Sequence, residues 1–173
     1  MKTTLIIYST HDGQTHKIAQ FIASELGQDV CQLCAIEDTK QLVLADYDKI
    51  LIGASIRYGH YSKALYQFIE KNHELLTEKN AAFYSVNLTA RKPGKDTPEG
   101  SSYVQKFLTK SAWQPQLIGV FAGALYYPRY RFIDRVMIRF IMSMTGGETD
   151  TSKEVEYTNW ENVRSFSQKF AQL

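Results

Sequence analysis

The sequence predicts a doubly wound α/β domain built on a parallel sheet of five strands. Apolar runs of strand length alternate with segments whose apolar residues recur at helical spacing, as expected for successive βαβ units. The runs are continuously apolar, which is typical of strands buried on both faces of a parallel sheet. With 173 residues, the chain is long enough for one domain with a core and too short for two. We therefore expect one domain over residues 1–173.

The elements follow in order along the chain. The predicted strands are Thr4–Tyr8, Val30–Ile36, Lys49–Ala54, Ala81–Val86 and Leu117–Ala124. Between them, helical stripes at i, i+3 and i+4 are formed by Ile18, Phe21 and Ile22 and by Leu65, Phe68 and Ile69, and a third helix is marked by Tyr103, Val104 and Phe107. The last helix is expected to begin with a capping box, with Thr158 at the N-cap and Glu161 three residues later, and to turn Val163, Phe166 and Phe170 inward.

Charge and cysteine content exclude several classes of protein. The net charge of +2 gives no strong global field, which argues against a nucleic-acid partner. Cys31 and Cys34 have Cys-x-x-Cys spacing, but one pair cannot complete a zinc site, and residues three apart on a strand point to opposite faces. We expect two structural thiols in a reducing, cytosolic compartment and no metal. No secretory signal or membrane-spanning run is expected.

The loop between the first strand and the first helix is typical of a phosphate site. Hydroxyl and amide side chains there combine with free N–H groups at a helix N-terminus, and a glycine permits a tight turn. The Gly-Lys-Ser/Thr of a P-loop and the G-x-G-x-x-G fingerprint are both absent. The pattern predicts a site for one terminal phosphate, with an ordinary capped turn as the alternative. The candidate residues are Ser9, Thr10, His11, Asp12, Gly13, Gln14 and Thr15.

Polar loops also follow the third and fourth strands, where ligands of such sheets bind. Tyr58 offers a flat wall, and Gly59, backbone amides and cations surround it, which together suit a flavin ring. A partly buried core tyrosine is the alternative. The candidate contacts are Ser55, Ile56, Arg57, Tyr58, Gly59, Ser85, Val86, Asn87, Leu88, Ala90 and Arg91, with Gly123, Ala124 and Leu125 after the fifth strand.

An insert of about residues 126–148 exceeds what a five-stranded domain needs. It predicts a helix from Arg131 to Met144, followed by a glycine pair suited to a C-cap. Arginines recur every four residues on one face, and the rest is too apolar for a solvated helix and too short to span a bilayer. Such a basic amphipathic helix is typical of a membrane interface, with burial in the core or a homodimer as the alternative. The predicted membrane contacts are Arg129, Arg131, Phe132, Arg135, Val136, Arg139 and Phe140.

Taken together, these motifs resemble the flavodoxin-like, menaquinone-dependent protoporphyrinogen IX dehydrogenases of bacterial haem synthesis. The resemblance spans essentially the whole chain, and the first loop alone would fit many flavodoxin-like proteins. One departure is His11, where a close relative would carry Arg. The segments that carry the resemblance are Ser9–Thr15, Gly53–Tyr61, Phe83–Leu88, Ala90–Pro93, Tyr127–Arg131, Asp134–Arg135 and Gly146–Asp150.

The resemblance implies a flavodoxin-like fold with strand order 2-1-3-4-5, FMN as the cofactor, and protoporphyrinogen IX as the substrate. It also implies menaquinone or ubiquinone as the electron acceptor and a peripheral location on the cytoplasmic face of the inner membrane, at an anionic lipid surface. No catalytic side chain is expected beyond the flavin. Arg57, Arg91 and Lys92 are expected to meet the propionates of the substrate, with a solvated basic rim as the alternative.

Three other functions remain open. An electron-carrier flavodoxin would present an acidic face, against which the pI of about 8.4 and the Arg-rich insert argue. An NAD(P)H:quinone reductase would be reduced by a nicotinamide. A receiver-type signalling module would need an acidic cluster where this chain has Tyr8 and Ser9.

Overall fold

The computed structural model describes residues 3–173 and forms one parallel sheet of five strands in the order β2-β1-β3-β4-β5. The expected strands and their order are confirmed, with each boundary within two residues of its prediction. The strands are β1 Thr4–Ser9, β2 Cys31–Ala35, β3 Lys49–Ser55, β4 Asn80–Asn87 and β5 Leu117–Ala122.

Helices cover both faces of this sheet. Ile18 and Phe166 pack in the core on one face, whereas Leu65 and Phe107 pack on the other. Short 3₁₀ helices occupy Ile36–Gln41, Leu44–Asp46, Leu88–Arg91 and Tyr127–Arg129. The α-helices are α1 Gln14–Leu26, α2 Lys63–Glu78, α3 Ser102–Lys110, α4 Phe132–Thr145 and α5 Trp160–Ala171.

The two cysteines lie on opposite faces of β2, as predicted. Cys31 is buried with the α1 and α5 side chains, and Cys34 packs against the core on the other face. Within residues 3–173, no group of three or more His, Cys, Asp or Glu side chains could hold a metal ion.

The fifth strand is shorter than predicted because the chain leaves the sheet at Gly123. The Gly123 N–H still donates to the Asn87 carbonyl (3.2 Å), but Ala124–Tyr126 forms a separate strand, β6. This strand pairs antiparallel with β7, Glu154–Glu156. The insert therefore leaves and rejoins the domain at one point, closed by a two-stranded ribbon.

The start of α5 also differs from the predicted capping box. Asn159 is the N-cap, and its side-chain oxygen accepts from the N–H groups of Glu161 and Asn162. The Thr158 hydroxyl donates instead to the Ala122 carbonyl (2.6 Å). Thr158 thus ties the end of the ribbon to the sheet.

The predicted insert helix is present as α4 and ends at Gly146, whose φ of 72° fits a left-handed C-cap. The arginines of the insert differ in whether they form hydrogen bonds within the protein. Arg135 donates to the carbonyls of Tyr127 (3.2 Å) and Tyr130 (3.3 Å), and Arg129, just before the helix, forms two hydrogen bonds with Glu154. No helix in the described part of the chain combines the length and apolar character needed to cross a bilayer.

A close approach between β3 and β4 fixes the start of α1. The Tyr84 ring lies so near Gly53 that a Cβ there would stand 2.0 Å from its Cζ atom. The Tyr84 hydroxyl then donates to the Thr15 carbonyl (2.9 Å). Gly53 is therefore required by packing, and through Tyr84 it positions the predicted phosphate loop.

Candidate functional site

A cleft opens beyond the carboxyl ends of β1, β3, β4 and β5, and α4 forms its remaining wall. The loops that follow the strands contribute most of the predicted cofactor contacts, namely Thr10, His11, Asp12, Gln14, Thr15, Ser55, Ile56, Arg57, Tyr58, Gly59, Val86, Asn87, Leu88, Arg91, Gly123 and Ala124. The structure therefore brings the three predicted loops together, at the edge of the sheet where ligands of doubly wound folds bind.

Other predicted residues stand behind the cleft wall instead of lining it. The Ser9 and Ser62 hydroxyl oxygens are 3.0 Å apart, and the Ser85 hydroxyl accepts from Tyr61 (2.7 Å). Leu125 is buried in the small core under the insert. Gly13 provides the N-cap turn of α1, and the buried Ala90 donates its N–H to the Asn87 side chain (2.9 Å).

The sequence analysis missed a set of cleft residues, most of which belong to the insert. Those on α4 are spaced at i, i+3, i+4 and i+7, so they form one helix face, and this spacing could have revealed them. The additional lining residues are Thr89, Tyr103, Tyr130, Ile138, Ile141, Met142 and Thr145.

The loop before α1 has the features of an anion site. The helix begins after Gly13, whose φ is 91°, and no side chain caps its first N–H groups. The Thr10 hydroxyl accepts from the Gly13 N–H (3.0 Å) and closes the turn. Within residues 3–173, the Thr15 Oγ1 is fully buried and has no hydrogen-bond partner. Because an unpaired buried hydroxyl is costly, this atom fits the phosphate of a bound cofactor.

Gln14 has a structural role that its sequence position did not reveal. Its side-chain nitrogen donates to Thr158 Oγ1 (3.0 Å) and Glu156 Oε2 (3.1 Å), and its oxygen accepts from the Tyr126 hydroxyl. The amide thereby fixes the β6–β7 ribbon to α1. Because the side-chain amide is engaged in this way, Gln14 can bind a phosphate only through its backbone N–H in the first helical turn.

Arg57 joins three parts of the cleft. Its guanidinium lies 3.0 Å from the Asp12 carboxylate in the first loop and 3.2 Å from the Asp134 carboxylate at the start of α4. The Tyr130 ring stacks against the same guanidinium, with 5.7 Å from its centroid to Cζ. This predicted substrate contact is therefore already paired with two carboxylates.

Tyr58 lies at the tip of a tight turn in the same loop. Arg57 and His60 exchange backbone hydrogen bonds of 2.9 and 3.1 Å, and Tyr58 and Gly59 have φ angles of 49° and 81°, as in a type I′ turn. The Tyr58 hydroxyl donates to Asp134, and this hydrogen bond, more than the Arg57 charge, lowers the pKa of that carboxyl group. The ring is thus held at the rim of the cleft.

The structure also gives the positions of the other predicted basic residues, Arg91, Lys92 and His11. Arg91 donates to the carbonyls of Leu88 (2.7 Å) and Thr145 (3.1 Å) and so braces the end of α4. Lys92 lies outside the cleft lining. Burial, followed by the nearby Arg57 charge, lowers the pKa of His11, which favours the neutral imidazole beside the phosphate loop.

The fold and the cleft define this chain as a member of the flavodoxin domain family, whose pattern matches residues 5–152. Among solved structures, it is similar to reduced Megasphaera elsdenii flavodoxin, with a TM-score of 0.59 and 11% identity over 98% of this chain and 99% of that one. It is also similar to oxidised flavodoxin 2 of Bacillus cereus, with a TM-score of 0.53 and 19% identity over 98% of both chains. Membership of the flavodoxin family indicates FMN as the cofactor.

Within that class, the chain belongs to the family of quinone-dependent protoporphyrinogen IX dehydrogenases. It is 52% identical to the Escherichia coli K12 protein of that name, over 98% of this chain and 95% of that protein. It is also 52% identical to the Leishmania major protein of that name, over 98% of this chain and 74% of that protein.

The unpaired Thr15 hydroxyl leads to a prediction about cofactor binding. Thr15→Val should weaken FMN binding roughly ten- to a hundredfold, because one hydrogen bond to a charged group contributes about 1.5–3 kcal/mol. The free energy of unfolding of the FMN-free protein should not fall, because that hydroxyl has no partner within the described residues. Fluorescence titration with FMN and urea denaturation measure the two quantities.

Thr109→Val is the matched control, since the Thr109 hydroxyl donates to the Gln105 carbonyl on α3 (3.0 Å), away from the phosphate loop. It should leave FMN affinity unchanged. Equal FMN affinity in wild type and Thr15→Val would show that the hydroxyl does not contact the phosphate.

Proposed function

We propose that this chain oxidises protoporphyrinogen IX to protoporphyrin IX with bound FMN and passes the electrons to menaquinone or another respiratory quinone, as a step of haem synthesis. The observation that carries the proposal is 52% identity over 98% of the chain to relatives named protoporphyrinogen IX dehydrogenase [quinone]. Those relatives make the chain an oxidoreductase. The choice of menaquinone is the finer part of the proposal, and it rests on the family resemblance of the sequence motifs.

The reaction removes six hydrogens from the porphyrinogen. FMN, when bound, supplies two-electron chemistry. One porphyrin therefore requires three turnovers, in which three quinones are reduced to three quinols. The three quinones take up all six electrons and six protons, and no nicotinamide is consumed.

The chain itself contributes binding, orientation and the exclusion of water. Thr15 and the first N–H groups of α1 would hold the FMN phosphate, and Ile56 and Tyr58 would form a wall for the flat ring. Ile138 and Met142 on the inner face of α4 make the opposite side of the cleft apolar. Such a surface suits both a tetrapyrrole and a quinone, because burying their apolar area in the cleft releases it from water.

Anaerobic half-reactions test the proposal directly. Protoporphyrinogen IX should bleach the absorbance of the FMN-loaded protein, and a menaquinone analogue should restore it. NADPH should leave the oxidised spectrum unchanged. Bleaching by NADPH with no response to the porphyrinogen would replace the proposal with the NAD(P)H:quinone reductase function.

The outer face of α4 supports a peripheral location at the cytoplasmic face of the inner membrane. Large apolar side chains are exposed there, with Phe132 at 77%, Ile133 at 74% and Phe140 at 61%. A contiguous apolar patch of this kind is typical of an interaction surface. The opposite face of the same helix lines the cleft, so docking α4 on lipid would bring the cleft to a membrane-embedded quinone.

The arginines of the insert contribute less to lipid binding than their number indicates. Arg129 and Arg135 are engaged within the protein, which leaves Arg131 and Arg139, both exposed. At about 1 kcal/mol for each cation near an anionic surface, these two supply about 2 kcal/mol at low salt. Any further free energy of binding must come from burial of the apolar face of α4 in the lipid.

We therefore predict that Phe132→Ser/Phe140→Ser weakens binding to anionic vesicles more than Arg131→Glu/Arg139→Glu does. Both variants should keep FMN and activity with a water-soluble quinone, because the phosphate loop lies elsewhere. Vesicle sedimentation measures the binding. Lys40→Glu/Lys169→Glu, with the same change in net charge on exposed residues away from α4, is the control and should bind like wild type. Wild type that does not bind vesicles, or wild-type vesicle binding by both of the double variants on α4, would contradict the membrane proposal.

A further inference from the structure

A second groove adjoins the cleft on the side away from α4. It has a cavity volume of about 420 Å³. Ile56, Gly59 and Tyr103 line both the groove and the cleft, so the two are continuous. An elongated molecule seated at the flavin can therefore extend into the groove without leaving the protein surface.

The charged side chains that line this groove are all lysines. Lys63, at the start of α2, lines the groove together with Lys106 and Lys110 of α3, and no Asp or Glu is among the described residues that line it. Lys106 and Lys110 are four residues apart and so share one helix face. Within residues 3–173, none of these lysines forms a salt bridge, and Lys110 lies over the Tyr66 ring, 4.2 Å from its centroid.

Besides the lysines, the groove is lined by three tyrosines together with Ile56, Gly59 and His60. Tyr61, Tyr66 and Tyr103 supply its walls, and the Tyr61 ring is fixed by its hydrogen bond to Ser85 (2.7 Å). In the described part of the chain, the hydroxyls of Tyr66 and Tyr103 make no hydrogen bond to protein groups. The groove thus combines an apolar floor with free hydroxyl groups and three ammonium groups at its rim.

Among the described residues, the lining of the cleft contains no comparable unpaired cation. Arg57 is paired with Asp12 and Asp134, Arg91 donates to backbone carbonyls, and Lys92 lies outside. These were the residues that the sequence analysis expected to meet the substrate. A substrate with two carboxylates on one edge of a large apolar ring needs cations at one side of the flavin, and the groove supplies them.

We propose that this lysine groove binds the two propionate carboxylates of the porphyrinogen, with Lys63, Lys106 and Lys110 as the recognition residues. The proposal rests on the proposed function and adds the orientation of the substrate. The apolar edge of the tetrapyrrole lies over Ile56, Gly59 and Tyr103 toward the flavin. The lysines are positioning residues and take no part in electron transfer.

The test compares a diacid substrate with its neutral form. In Lys63→Gln/Lys106→Gln/Lys110→Gln, KM for protoporphyrinogen IX should rise about tenfold, the size expected for two partly exposed ion pairs. KM for the quinone, FMN content and kcat at saturation should stay as in wild type. Wild type should show a similarly raised KM for the dimethyl ester of the substrate, and the triple variant should no longer distinguish diacid from ester.

Two further variants separate recognition from folding. Lys63→Arg/Lys106→Arg/Lys110→Arg keeps the charges and should restore most of the preference for the diacid. Lys40→Gln/Lys71→Gln/Lys169→Gln removes three exposed lysines elsewhere and should behave as wild type. Binding of mesoporphyrin IX, a diacid that cannot be oxidised in this way, should weaken about tenfold in the glutamine variant, which gives a measurement independent of turnover.

The outcomes distinguish this inference from the function on which it rests. An unchanged KM for the diacid in the glutamine variant, or an equal loss for diacid and ester, would overturn the lysine groove while leaving the oxidation of porphyrinogen intact. Wild type that oxidises neither substrate form would overturn the proposed function and the groove assignment with it. FMN reduction by NADPH that the glutamine variant loses would reassign the groove to a nicotinamide dinucleotide.

Discussion

The candidate site depends on the position of one guanidinium between two carboxylates. Arg57 brings together the loop after β1, the loop after β3 and the start of α4, which are far apart in sequence, through Asp12 and Asp134. All three side chains are about one quarter exposed. Partly desolvated charges are unfavourable unless they are paired. The pairing therefore fixes the distance between the phosphate loop and the insert.

The insert helix, α4, carries apolar side chains on two opposite faces. Its inner face, with Ile138 and Met142, meets the cleft, and its outer face, with Phe132 and Phe140, meets solvent. The β6–β7 ribbon brings both ends of the insert to one place beside the sheet. Gln14 then fixes the ribbon to the first turn of α1. One short segment of chain thus links the phosphate loop, the cleft wall and the exposed apolar face.

The sequence was sufficient for the features that periodicity encodes. Continuous apolar runs located the five strands, and the stripe through Ile18 and Ile22 located the first helix, whose apolar face packs on one side of the sheet. The strands β6 and β7 were missed because three residues are too few to show an alternating pattern. Likewise, the Thr158 hydroxyl suits both a cap and a tether, and only the position of Ala122 decides between them.

Charged residues show most clearly what the sequence leaves open. A sequence identifies a cation but not its partner, so Arg57 and Arg91 were expected to face a substrate although both serve to hold the cleft together. Conversely, Lys106 and Lys110 look like ordinary residues of a solvated helix face until the fold brings Lys63 to the same groove. The cofactor loop was easier to recognise, since its glycine, hydroxyls and helix are consecutive in the chain.

Hydrogen–deuterium exchange of α4 in Arg57→Gln tests the central claim that this guanidinium holds the insert over the cleft. Loss of this pairing should make amides in residues 132–145 exchange about fivefold faster, while those in β3 and β4 keep their wild-type rates. Arg164→Gln removes an ion pair with Glu25 at a distant site and should leave α4 unchanged. Wild-type exchange across α4 in Arg57→Gln would contradict the account.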